Sequence, residues 1–155
     1  MAGRARCAVE RSSEKGSKSR PRLTYEELAK LAEDAGVSDL YDYAVASFDP
    51  LLKRRRTRSS IGFGALLEGS HKIVVSLVPG ESSEEKGLRY LLYKNRFATL
   101  SGMSVEAVTS LMPAQHEDWT YEAGAGPDWE GFQGFIVSRE EIDRLSAALR
   151  EHRVE

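Results

Sequence analysis

The sequence predicts an α+β fold, a single domain with a mainly antiparallel sheet of about five strands and helices on one face. Hydrophobic residues recur at helical spacing up to Phe48, alternate from Thr57 onward, and return to helical spacing after Ser138. Turn signals at Gly69-Ser70 and Pro79-Gly80 stand between the alternating stretches, where parallel strands would need long crossovers. A chain of 155 residues with 41% hydrophobic and 30% charged content can bury one core of ordinary size. The predicted order is α-α-β-β-β-α-β-β-α.

Residues 1–22 hold seven Lys or Arg against two acids and almost nothing to bury. They read as a disordered basic arm ahead of a domain spanning residues 23–155. Such an arm suits phosphate tracking or no role at all, and Glu10 and Glu14 argue against a transit peptide. Thr24 then caps a first helix with Glu26 and Glu27 in its opening turn; Leu28, Leu31, Ala32 and Ala35 form its stripe, and Gly36 ends it. Ser38 caps a second helix carrying Tyr41, Ala44 and Phe48 on one face, interrupted by Asp49-Pro50.

From Thr57, Ile61, Phe63, Ala65 and Leu67 fall on one side of a strand, with Ser60, Gly62 and Gly64 on the other. Residues 71–78 return as a nearly unbroken apolar run, which predicts a central strand covered on both faces. A polar loop over 81–87 leads to a third strand over 88–93, and Ser104 caps a short helix through Met112. Residues 119–122 and 132–137 read as two strands joined by a small-residue loop. Ser138 and Glu141 form a capping box for the last helix, which buries Ile142, Leu145, Ala148 and Leu149.

Charge is segregated along this chain of formal net charge −2. Residues 23–52 carry one Lys against seven acids, and residues 59–155 carry nine basic side chains against fifteen acidic. Between them stand Lys53, Arg54, Arg55, Arg56 and Arg58. Concentrated like charge inside a folded region is either well solvated or meets an anion. The acidic body excludes a protein that coats nucleic acid over a whole face and leaves room for a local contact. A strand entered at Arg56 would set Arg56 and Arg58 beside Ser60, Gly62 and Gly64, a flat stripe suited to a sugar-phosphate backbone. In the competing reading the arginines pair with acids of residues 23–52 while a helix packs over the glycines.

Phe97, Ala98, Gly102, Met103, Val108 and Leu111 have helix-turn-helix spacing, yet the second helix lacks Arg, Lys, Asn or Gln to read base edges. Lys94 and Arg96 precede the turn, where they could touch phosphates. Residues 117–135 are acidic and aromatic, and Trp119 and Trp129 there could anchor a protein partner. Glu84 and Lys86 match the Glu-x-Lys pair of metal-dependent nucleases, but in a loop where a rigid strand is needed. His71, His116 and His152 have no ligand spacing, and the single thiol, Cys7, suits a reducing compartment such as the cytoplasm.

The function these residues predict is a non-enzymatic binding module for a nucleic-acid backbone or another polyanion, without cofactor or metal. Arg54, Arg55, Arg56 and Arg58 would make the contacts, assisted by Lys94 and Arg96. A protein-interaction module using Trp119 and Trp129 is the alternative, and a metal-dependent nuclease or hydrolase the third.

Overall fold

A computed structural model describes residues 22–121 and 126–152. The predicted basic arm, apart from Arg22, lies outside the described residues, as do Cys7 and residues 123–125 of the small-residue loop. The first helix, α1 (Tyr25–Asp34), opens on a complete capping box. The Glu27 amide donates to Thr24 Oγ1 at 3.1 Å, and the Thr24 amide donates to the Glu27 carboxylate at 2.8 Å. Gly36 follows its end with φ of 79°, a conformation that side chains with a Cβ resist. In α2 (Ser38–Phe48), Val37 takes the cap position and Ser38 already belongs to the first turn.

The strands are β1 (Lys53–Arg56), β2 (Ile61–Leu67), β3 (Ser70–Leu77), β4 (Leu88–Tyr93), β5 (Gln115–Thr120) and β6 (Glu130–Ile136). The remaining helices are α3 (Lys94–Ser101), α4 (Val105–Thr109) and α5 (Arg139–His152). The strands form one antiparallel sheet in the order β1-β2-β3-β4-β6-β5. The α+β class and the hairpin connections are those the sequence predicts, with one strand more. The additional strand is the arginine run itself. It folds back onto β2 through residues 57–60, where the Thr57 amide donates to the Ser60 carbonyl at 2.9 Å. The helix-turn-helix spacing corresponds to a capped turn: Gly102 (φ 74°) ends α3, and Ser104 Oγ accepts from the Ala107 amide at the start of α4.

Helices cover one face of the sheet. Ile61, Phe63, Leu77, Tyr90, Leu92 and Ile136 point there and are at most 1% exposed. Leu28, Phe48, Phe97 and Leu145 meet them from α1, α2, α3 and α5, and the Phe48 and Phe63 rings lie 5.6 Å apart. Each such side chain contributes roughly 1.5–3 kcal/mol by leaving water. The apolar run in β3 is buried on both faces over Val74 to Leu77, and it also contains a bulge. Phe63 pairs with Val75 but Gly64 pairs with Ile73, so Val74 is an extra residue in a β-bulge, and Val74 and Val75 are both buried. The bulge breaks the alternation, while Ile73 and the buried Ser76 line a groove on the face of the sheet away from the helices.

The two edges of the sheet carry opposite charge, the cations of β1 on one and Glu117 and Asp118 of β5 on the other. No helix among the described residues is long and apolar enough to cross a membrane. In β6, a Cβ at Gly134 would overlap the Gln115 carbonyl, and one at Gly131 the Leu92 carbonyl. The strand fits between β4 and β5 only because those side chains are missing. Gly134→Ala is therefore expected to lower stability by about 1–3 kcal/mol, the cost of overpacking. Urea denaturation measures it, and an unchanged midpoint would show that β6 tolerates the added methyl group.

Candidate functional site

Strand register decides where each arginine of the run points. Arg54 pairs with Phe63 and Arg56 with Ile61, so both share the helix-covered face with the core. Lys53 pairs with Gly64 and Arg55 with Gly62, so these two share the open face. Arg56 thus lies opposite to the side expected from a single strand running through Arg56, Arg58 and Gly62. The hairpin turn at 57–60 makes it part of another strand. The helix-side arginines have internal partners. Arg54 makes a two-pronged contact with Asp49, at 3.0 Å from Nε and 2.6 Å from Nη2, and sits 4.8 Å from the Tyr25 ring centroid. Its bonds hold the Asp49 carboxyl below the usual carboxylate range, against the effect of burial. Arg56 donates to the Leu23 carbonyl at 3.3 Å and lies 5.7 Å from the same ring. Arg58, in the turn, is exposed and borders the open face.

The open face carries a groove of about 690 Å³, bordered by Thr57 and Arg58 at one end and by Tyr121 and Trp129 at the other, with His71, Ser76 and Leu91 along it. One cross-sheet row on this face runs Arg55, Gly62, Ser76, Leu91, Gln133 and Glu117. The β2 glycines make room for side chains of β3. A Cβ at Gly62 would press on Ile73 Cδ1 at 2.8 Å, and one at Gly64 would meet His71 Cε1 at 3.0 Å and overlap the Lys72 carbonyl. Ile73 and His71 occupy that space. Both ring nitrogens of His71 are enclosed and have no hydrogen-bond partner among the described residues. Burial, with Arg55 and Lys53 nearby, holds its pKa below the ordinary histidine value.

The far wall is built around Arg96. Only Val75–Leu77 of β3 pair with β4, because the chain leaves the sheet after Tyr93 to form α3. The freed Ile73 carbonyl accepts from Arg96 Nη1 at 2.8 Å, while Nη2 donates to Asp128 at 3.1 Å. The guanidinium lies 4.1 Å from the Tyr93 ring centroid and 4.8 Å from that of Trp129, and Nε has no partner among the described residues. Asp128 also accepts from Lys72 at 3.1 Å, and Asn95 Nδ2 donates to the Pro127 carbonyl at 2.7 Å. Burial acts to raise Asp128, but the bonds from Arg96 and Lys72 prevail and hold its carboxyl low. Arg96 is 6% exposed and is a clamp between two segments, whereas the sequence suggests only a flanking phosphate contact. Lys94 turns the other way, 5.4 Å from the Phe132 ring centroid on the helix-covered side.

Trp119 and Trp129 come together through Tyr93, whose ring centroid is 5.3 Å from one and 6.3 Å from the other. Tyr121 stacks on Trp129 at 5.2 Å with an interplanar angle of 25° and remains 41% exposed. The basic run and the aromatic segment, rival sites in the sequence, therefore border the same groove. His71, Tyr93 and Asp128 are the site residues that sequence reasoning missed; their signal lies in strand register, which pairs residues far apart in the chain. Glu84 and Lys86 are exposed in a turn closed by the Ser83–Gly87 bridge, and Glu84 packs on Gly36. Among the described residues, no three His, Cys, Asp or Glu side chains converge as metal ligands would.

Comparison with protein-family models, curated proteins and solved structures finds no match to this chain.

The depressed His71 pKa has a stability consequence. An unfolded chain binds a proton at this residue more readily than the folded one, so the contribution of His71 is present above about pH 6.5. It is lost as pH falls from there through the folded value. An NMR titration of the imidazole should give a midpoint below an ordinary histidine, and Lys53→Gln with Arg55→Gln should raise it. A midpoint insensitive to both changes would remove the two cations from the cause.

Proposed function

We propose that the protein is a non-enzymatic binding module whose open sheet face contacts a nucleic-acid backbone or another polyanion. The observation that carries this reading is the division of the arginine run by strand alternation. Arg54 and Arg56 are held by Asp49, Leu23 and Tyr25, while Arg55 and Arg58 are exposed on or beside the groove and have no acidic partner within salt-bridge distance among the described residues. An anion entering there meets Arg55, Arg58 and Lys53 together, and phosphate oxygens match the planar fork of a guanidinium. Arg96 serves by positioning Tyr93 and Trp129. Its single cysteine suits the protein to a reducing compartment, the cytoplasm.

Trp119 and Trp129 as anchors for a protein partner are the weaker reading, because Tyr93 and Arg96 already pack against these rings. A nuclease reading has no support beyond the Glu84 and Lys86 spacing.

The test is fluorescence anisotropy of the full chain with labelled DNA and RNA across a range of salt. Affinity should fall steeply with salt, and each lost phosphate contact should reduce the logarithmic slope by about 0.7–0.9. Arg55→Glu with Arg58→Glu should weaken binding at least roughly tenfold, since charge reversal adds repulsion to each lost contact, while thermal unfolding stays unchanged. Arg54→Glu with Arg56→Glu should chiefly lower stability. Full affinity in the first pair would remove the groove from the reading.

A further inference from the structure

We infer that the groove receives an unpaired stretch of nucleic acid, one base resting on the Tyr121–Trp129 pair and its phosphate meeting Arg58 and His71. This rests on the polyanion reading above and narrows it to single strands. Three observations carry it.

The first is the juxtaposition of cations and aromatic rings along one depression in a sheet. A phosphate chain alone needs no rings, and a protein anchor needs no cations. A nucleotide presents a flat π-face and a charged group together, and every base can stack on an aromatic side chain. The volume of about 690 Å³ lies within the range of pockets that hold ligands of nucleotide size.

The second is the set of polar atoms left without partners inside the groove. Both His71 ring nitrogens and Arg96 Nε are enclosed and find no hydrogen-bond partner among the described residues, although buried polar groups are normally paired. Arg96 itself is 6% exposed and fixed in orientation by Ile73 and Asp128, so its free Nε–H is held ready for an acceptor. His71 can donate to a phosphate oxygen through one nitrogen.

The third is the state of Tyr121. It is stacked on Trp129 at a 25° interplanar angle yet 41% exposed, so the pair is already oriented while one ring remains accessible. A base pair buried in a duplex could not reach it.

Both tryptophans of the chain belong to this aromatic cluster, so intrinsic fluorescence reports stacking directly. The full chain is titrated with a single-stranded DNA oligonucleotide, its RNA equivalent, the matching duplex, an abasic strand of equal length and inorganic polyphosphate. Anisotropy or competition gives affinity, and tryptophan emission gives stacking. The single strands should bind about tenfold or more tightly than the abasic strand and quench emission. Tyr121→Ala should bring the single-strand affinity down to the abasic value and leave polyphosphate binding unchanged, while Tyr121→Phe keeps the stacking. A DNA–RNA difference within the single-strand result assigns the sugar. Equal binding of intact and abasic strands, or tighter binding of the duplex, overturns this inference and leaves the polyanion reading standing. No binding to any of the five overturns both.

Discussion

Tyr93 is the last residue of β4, and the strand beside it continues. A sheet interrupted in this way leaves backbone carbonyls with no partner, which is costly wherever water is excluded. Arg96 resolves the interruption with a single side chain. It reaches back from α3 to the Ile73 carbonyl, grips Asp128 across the chain, and fills the gap between Tyr93 and Trp129. The exit of β4, the position of the 126–129 turn and the aromatic wall of the groove all depend on this guanidinium. Lysine could supply the charge but not the fork or the flat surface for the rings.

The remaining charge is distributed by a simpler device. Alternation along β1 sends every second side chain to the helices, where Asp49, the Leu23 carbonyl and Tyr25 receive it, and sends the others to the open face. A run of five cations is thereby split into a structural half and an available half. The same alternation places Ser76, Leu91 and Gln133 in a row with Arg55 across the sheet. Net charge says nothing of this, because the groove gains its character from orientation.

Most of the fold was legible because its signals are local. The Thr24 cap, Gly36, Gly69-Ser70 and the Ser138 cap each act within a few residues of themselves, and each stands where an element begins or ends. Glu141, however, completes no box with Ser138 and instead accepts from the Val137 and Ala114 amides. What escaped depended on pairing between distant residues. The turn at 57–60 carries no glycine or Asn-Gly signal, so the arginine run looked like the start of β2 rather than its neighbour. The apolar run in β3 suggested cover on both faces, and Val74 to Leu77 are all buried, but the extra valine of the bulge within the run could not be read from it. Gly62 and Gly64 suggested an approaching ligand when Ile73 and His71 of the next strand fill the space. The site was half legible: the arginine run and the tryptophans stood out by type, whereas the groove that joins them exists only once β1 to β6 are in register.

The turn between β1 and β2 has an evolutionary side. Sheet alternation has a period of two, so the facing of β1 is a matter of parity. One residue gained or lost in the turn, taken up as a one-residue slip of β1 along β2, would exchange the two sets of arginines. Arg54 and Arg56 would then face the groove, and Arg55 would be left against the core. Sequence drift inside the cationic run can therefore be generous in identity, since any long basic side chain fills the outward positions. Drift in the length of the turn cannot be. Among descendants of this chain, the four-residue spacing from Thr57 to Ser60 should outlast the particular residues that occupy it.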